Sequence, residues 1–322
     1  MTRPRFLPDN FTLALLIVIA LASVLPCRGE TAQVFDHVTN VGVALLFFLH
    51  GAKLSRDAVI AGLTHWRLHL VVLLCTFALF PVLGLVLKPA LLTVITPDLY
   101  LGVLFLCTLP STVQSSIAFT SMARGNVPAA VCSASASNMA GIFLTPMLVG
   151  LMVMPHTGAA ISFDSFGKIV LQLLLPFVLG QIARRWIGGW VSSHPQLVRP
   201  VDQGSILLVV YTAFSQAVVE GIWQQVPLSA LIYLLLISSG LLALILVLTT
   251  VLSRRLGFNK EDEITIVFCG SKKSLASGVP IAKVLFTSQT IGMMVLPLML
   301  FHQIQLMVCA VLAQRYAARP QQ

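Results

Sequence analysis

Charge is what this chain has least of. Only 10% of its 322 residues are Asp, Glu, Lys or Arg, against about 25% in soluble domains. Acidic residues are the scarcer sign, 11 against 20 basic ones, and none lies deep within a long apolar run. A soluble globular domain is thereby excluded. A cation buried in one of those runs also has no carboxylate partner visible in the sequence. The six cysteines (Cys27, Cys75, Cys107, Cys132, Cys269 and Cys309) show no CxxC spacing and no metal-ligand pairing. They read as small buried hydrophobes, which argues against a disulfide framework or a metal site. Hydrolase signatures such as GxSxG and HExxH are missing too. Ser271 or Ser274 beside a lysine base therefore lacks the constellation that nucleophilic catalysis needs. Neither an enzyme nor a cofactor is expected.

What the chain has instead is apolar length. Hydrophobic residues make up 57% of it and the mean hydropathy is +0.93. A helix must run about 20 residues to cross a hydrocarbon core about 30 Å thick. Ten stretches qualify, at 10–27, 37–53, 66–88, 99–122, 127–153, 166–187, 202–223, 228–252, 264–284 and 289–312. They lack the strict alternation of a membrane β-barrel, so the class is all-α integral membrane. Arg3 and Arg5 ahead of the first run resemble a signal peptide. Pro26 before Cys27 makes a poor cleavage site, so the run reads as the first transmembrane helix.

The net charge of +9 raises nucleic acid as a partner, but the distribution of basic residues points to the lipid bilayer. With both termini in the cytoplasm, fourteen Lys and Arg fall on that side and four on the other. That is the positive-inside pattern, and it predicts a multi-pass protein of the cell (plasma or inner) membrane with both termini cytoplasmic.

The two halves echo each other. Ala58 to Leu63 matches Ala217 to Ile222, Val38-Thr-Asn matches Val201-Asp-Gln, and Gly141 to Pro146 matches Gly292 to Pro297. All three matches keep the same order at a similar displacement, which suggests two five-helix repeats, 1–155 and 156–322. Five is odd, so the second copy enters the membrane inverted. Secondary transporters use this design, with sites near the midplane where broken helices meet.

Polar interruptions fall where that design places them. The fourth run is broken at Leu109-Pro-Ser-Thr-Val-Gln-Ser-Ser116 and the ninth at Cys269-Gly-Ser-Lys-Lys-Ser-Leu-Ala-Ser-Gly278. Pro110 removes a backbone donor, and Gly270 and Gly278 lower helical preference. Lys272 and Lys273 are the sharpest signal, because a charge at bilayer depth costs about 2.5–3.5 kcal/mol on insertion scales. The candidate substrate- and ion-binding residues are Ser111, Thr112, Gln114, Ser115 and Ser116 from the first break. Gly270, Ser271, Lys272, Lys273 and Ser274 come from the second. In the fifth run the small residues serve close helix packing, while Ser133, Ser137 and Asn138 put oxygens beside the first break, Asn138 being the ligand candidate. His50 and His302 read as helix–helix contacts, Gln303 and Gln305 raise the polarity of their run without defining a site, and Trp66, Trp186, Trp190 and Trp223 read as interfacial anchors.

These features, together with the turn Met122-Ala-Arg-Gly-Asn126, resemble the bile acid:sodium symporter superfamily, whose corresponding turn reads Leu-Ala-Arg-Gly-Asp. The detail is similar to the SBF-like branch. The resemblance implies broken helices four and nine crossing inside a core domain, a panel domain beside it, and sodium bound near the crossing. The family's ninth helix carries Glu two residues before a Gly and Gln-Asn two residues after it. Here the same frame reads Phe268-Cys-Gly270-Ser-Lys272-Lys273, and Ala130 and Ala134 stand where the family uses Ser or Thr. Two fixed cations repel sodium, and the missing oxygens leave it under-coordinated.

Three roles for the lysines follow: tethered stand-ins for sodium, direct ligands of an anionic substrate, or a proton-exchanging site. Adjacent helical residues diverge by about 100°, so one faces the crossing, assigned to Lys272, and the other a cavity. The expected function is alternating-access transport of amphipathic organic anions such as sulfated steroids or small carboxylates. Sodium or a proton remains open as coupling ion. The alternatives are a sodium-coupled symporter of bile acid type, a channel, or a non-transporting regulator or receptor.

Overall fold

A computed structural model of the chain describes residues 10–53, 65–153, 163–219, 221, 227–286 and 288–319. Every regular element among them is helical. Apart from the single turn Lys88–Leu91, the helices are α1 (Asn10–Val24), α2 (Gly29–Lys53), α3 (Trp66–Val86), α4 (Pro97–Thr108), α5 (Gln114–Met122) and α6 (Val127–Met152). They are followed by α7 (Phe163–Ser193), α8 (Pro195–Val219), α9 (Leu228–Arg255), α10 (Lys260–Gly270), α11 (Leu275–Leu285) and α12 (Ser288–Ala317). Five of them are long and apolar enough to cross a membrane: α2, α3, α6, α9 and α12.

Helix starts are written locally. Pro97 sits in the first turn of α4 behind Thr96, whose hydroxyl accepts the Leu99 N–H. Asn126 caps α6, Asn259 caps α10 and Ser274 caps α11, each by accepting a backbone N–H with its side chain. Such caps satisfy donors that the first helical turn leaves free.

Both expected interruptions are present. The first separates α4 from α5 at 109–113 and the second separates α10 from α11 at 271–274. Leu109 is extended (φ −77°, ψ 154°), as the residue before a proline must be. A third irregularity is a π-turn at Cys75–Leu79 inside α3.

Small residues set the tightest approaches. A Cβ added at Gly51 of α2 would collide with the Phe177 carbonyl of α7, and one at Gly180 of α7 with the Phe48 carbonyl of α2. These two helices touch backbone to backbone. Gly141 of α6 likewise admits the Pro110 ring, which seats α6 against the first break. Of the repeat signals, the Ala58–Leu63 segment and the end of its counterpart lie outside the described residues, as do Trp223 and the His50 side chain. Trp66 opens α3, and Trp186 and Trp190 lie in the last third of α7; all three are exposed.

The turn at Met122–Asn126 packs on the start of α10. Asn126 Nδ2 donates to Asp262 Oδ1 at 2.9 Å and the Asn126 N–H donates to the Glu261 carbonyl at 3.1 Å. Arg124 within it adopts a left-handed φ of 56°. At the opposite end of the molecule Lys283 of α11 forms an ion pair with Asp36 of α2. No sequence signal joins the two, because Asp36 lies just outside the 37–53 run and 247 positions from Lys283.

Candidate functional site

The two breaks lie against each other, and the bonds between them follow from the backbone groups each releases. In α10 the Cys269 and Phe268 carbonyls sit in the last turn, where a helix leaves acceptors free. Ser111 Oγ donates to Cys269 O at 2.5 Å and Ser116 Oγ to Phe268 O at 3.0 Å. In return, the Ser274 N–H donates to the Pro110 carbonyl at 2.9 Å. Thr112 and Ser115 complete a hydroxyl chain with Ser116, at 2.8–2.9 Å between oxygens.

Lys273 is buried completely, and its ammonium donates to three backbone carbonyls: Thr76 at 2.8 Å, Cys107 at 2.9 Å and Leu109 at 2.7 Å. At least two of the three are orphans for identifiable reasons. In the π-turn of α3 the Phe80 N–H bonds the Cys75 carbonyl. The next donor in that register is residue 81, a proline without an N–H, so the Thr76 carbonyl has no helical partner. For Cys107 the α-helical donor would be the Ser111 N–H, but that bonds Ser137 Oγ at 3.0 Å. Buried carbonyls left unpaired are costly, and three ammonium hydrogens match three acceptors. The Phe80 ring lies 4.1 Å from the same nitrogen, adding a cation–π contact.

Lys272 is buried as fully but held differently. Its ammonium donates to one carbonyl, Ser115 O at 2.9 Å, and sits over the Phe119 ring at 4.0 Å and the Phe268 ring at 5.3 Å. Lys273, assigned from sequence to a cavity, is thus the lysine more deeply tied to the first break. Adjacent side chains diverge as expected, but both run into protein. No carboxylate is paired with either among the described residues. The pair is balanced by carbonyl and ring dipoles only, so its charge is not cancelled locally.

Asn138 ties three elements together. Its Nδ2 donates to the Ser111 carbonyl at 2.8 Å and to Ala134 O at 3.1 Å, while its Oδ1 accepts from Ser277 Oγ at 2.6 Å. Ser137 acts beside it, as expected. Ser133 turns away and pairs with His69 Nδ1 at 2.7 Å. Of the remaining candidates, Ser274 caps α11, and Gly270 packs against Cys75 beside the π-turn. Gln114 is exposed and takes no part in the interlock. Ser271 Oγ is fully buried with no hydrogen-bond partner among the described residues, which leaves one hydroxyl free at the second break.

Two participants escaped the sequence reading. Gln305 of α12 is fully buried and brackets the backbone of Lys273: its Oε1 accepts the Lys273 N–H and its Nε2 donates to the Lys273 carbonyl, both at 2.9 Å. It fixes the direction in which the lysine leaves the chain. Thr76 contributes only its carbonyl, and its signal was Pro81, five residues on. His302, one turn before Gln305 in α12, lies 2.9 Å from its amide and faces the Lys273 carbonyl of the second break at 3.4 Å.

Comparison with known proteins identifies the family. A family model described as the SBF-like CPA transporter family matches residues 9–318. "Uncharacterized protein PA2026" of Pseudomonas aeruginosa is 69% identical over 99% of this chain and 96% of its own length. "Putative symporter YfeH" of Escherichia coli is 59% identical over 98% and 94%. "Sodium/bile acid cotransporter 7" of Rattus norvegicus is 29% identical over 96% and 92%. The chain is a multi-pass membrane transporter rather than an enzyme, and it belongs to the SBF-like CPA transporter family.

Proposed function

We propose that this protein is an alternating-access secondary transporter of small amphipathic organic anions whose central cation sites are filled by its own lysines. In this reading ten spans form two inverted five-helix repeats, 1–155 and 156–322. Helices α4–α5 and α10–α11 are the crossed broken helices of a core domain, with a panel domain beside it. The protein sits in the cell membrane with both termini cytoplasmic.

The observation that carries the proposal is the triple contact of the Lys273 ammonium with Thr76, Cys107 and Leu109 carbonyls. A ring of backbone carbonyls around one positive charge is chemistry that otherwise suits a hard cation. Here the cation is covalently attached and cannot leave, so the breaks stay joined without an ion from solution. Lys272 fills the neighbouring position on Ser115 O. Both ammonium groups are occupied, so neither binds cargo directly in this conformation. Their uncompensated charge still raises the potential beside the breaks and favours an anion there. Ser271 Oγ and Asn138 are the polar groups nearest to serving that cargo.

The rat relative's name joins sodium and bile acid; the lysines argue for keeping an amphipathic anion and dispensing with the sodium. Proteoliposome uptake of a labelled bile acid and a labelled steroid sulfate, with sodium or choline outside, separates the two. Saturable uptake that is equal in both salts supports the proposal. Uptake that requires an inward sodium gradient would make this a sodium symporter.

A further inference from the structure

A groove of about 820 Å³ runs along the outside of the molecule between α9 and α12, bounded by Ser239 and Val251 on one helix and Ile304 and Tyr316 on the other. Twelve rises of 1.5 Å make it about 18 Å long, close to the roughly 15 Å of one hydrocarbon leaflet. Its walls are apolar and face outward: Val247 is 59% exposed and Met307 64%. The hydroxyls along it are already satisfied, Thr250 by the Leu246 carbonyl and Ser239 by the Leu235 carbonyl. The lysine site lies on the other side of α12, behind buried Gln305.

One end of the groove is cationic. Arg315 lines it and, among the described residues, makes no ion pair. Of the other basic residues at that end, Arg254 pairs with Glu263 and Arg319 with Glu261, while Arg255, also without an ion pair among the described residues, lies outside the groove. The basic residues at this end also mark it as the cytoplasmic side by the positive-inside rule. A leaflet-long apolar trough with a single unmatched guanidinium at headgroup level is complementary to a lipid with net negative charge. We propose that the groove is a binding site for an anionic phospholipid of the cytoplasmic leaflet, with an acyl chain between α9 and α12 and the phosphate on Arg315. A zwitterionic lipid offers the same chain and phosphate but brings an ammonium group toward a basic surface.

Native mass spectrometry of the full chain tests this, with phosphatidylglycerol and phosphatidylcholine of matched acyl chains supplied in equal amounts. The wild type should retain one phosphatidylglycerol with a preference of about fivefold, the size expected for one basic residue near the surface. Arg315→Gln should abolish the preference. Arg255→Gln, exposed at the same end of α9 but outside the groove, should keep it. Val247→Trp should reduce retention of both lipids by filling the trough. The proposal is overturned by equal retention in the wild type, by an unchanged preference in Arg315→Gln, or by an equal loss in Arg255→Gln, which would mark diffuse surface charge. A species of twice the mass replacing the lipid adduct would assign the groove to a second copy of the chain. Size-exclusion elution matching the wild type confirms that each variant is folded.

Discussion

The Lys273 ammonium lies 2.8 Å from the Thr76 carbonyl, 197 positions earlier in the chain, because Pro81 leaves that carbonyl without a helical donor. The lysine therefore closes a gap in α3 as well as bridging the break between α4 and α5. Lys273→Met should orphan three carbonyls, at about 1–3 kcal/mol each, partly offset by removing a buried charge. Lys272→Met orphans one. Thermal denaturation in detergent should show the first variant losing more than twice the melting-temperature shift of the second. Equal shifts would show that the carbonyl contacts do not set the energetics.

The same logic predicts a rescue. Pro81→Ala restores an N–H in the π-turn register, five residues after Thr76. In the Lys273→Met background it should recover about 1 kcal/mol, whereas in the wild type it should be neutral or slightly destabilising. Absence of any rescue would mean that the Thr76 carbonyl finds water when the lysine is gone.

Asn138 should be sensitive to loss of either end of its amide, since it binds Ser111 O and Ser277 Oγ at once. Asn138→Ala should cost about 1–3 kcal/mol and reduce transport, with Asn138→Leu worse. Ser133→Ala, which touches only His69 in this network, should leave transport within about twofold. If Asn138→Ala transports normally, the amide is packing only.

Much of this was legible in the sequence. Proline, glycine and serine placed both breaks, whereas the caps Thr96, Asn126, Asn259 and Ser274 carry a local signal for the helix starts that apolar runs alone do not use. The lysines marked the site because their insertion cost demanded partners. Which carbonyls they reach was not legible, since backbone acceptors carry no residue signature. Gln305 reads as one polar residue in an apolar helix until Lys273 is seen beside it. The Asp36–Lys283 pair joins residues far apart in the chain, and nothing local announces it.

That pair carries its own prediction. Lys283 is only 9% exposed at its side chain, so Asp36→Asn leaves a nearly buried ammonium without its carboxylate. The variant should melt lower than the wild type, and Asp36→Asn with Lys283→Met together should recover part of the loss. A double variant no better than the single would show that the two charges do not interact.

At the end of the molecule opposite the Asp36–Lys283 pair, Glu263 is shielded from solvent, and this burial by itself pushes its pKa up. The hydrogen bonds from Arg254 and Lys260 outweigh that burial and hold its pKa below the ordinary carboxylate value of 4.5. A folded-state pKa below the unfolded one gives stability that is complete above about pH 4.5 and is lost as pH falls through the folded value. The melting-temperature advantage of the wild type over Glu263→Gln should therefore be full at neutral pH and shrink in acid. An advantage that grows on acidification would reverse the sign of the argument.

The central claim, that lysine ammonium groups replace a coupling cation, is tested most directly by thermal-shift titration of the purified protein with sodium against choline at fixed ionic strength. A ligand that binds only the folded state stabilises it by RT ln(1 + [L]/Kd), about 2.7 kcal/mol at 100 Kd, so a functional sodium site would be plain by about 0.3 M. The account predicts no sodium-specific rise in melting temperature. A saturable rise with sodium, absent with choline, would contradict it.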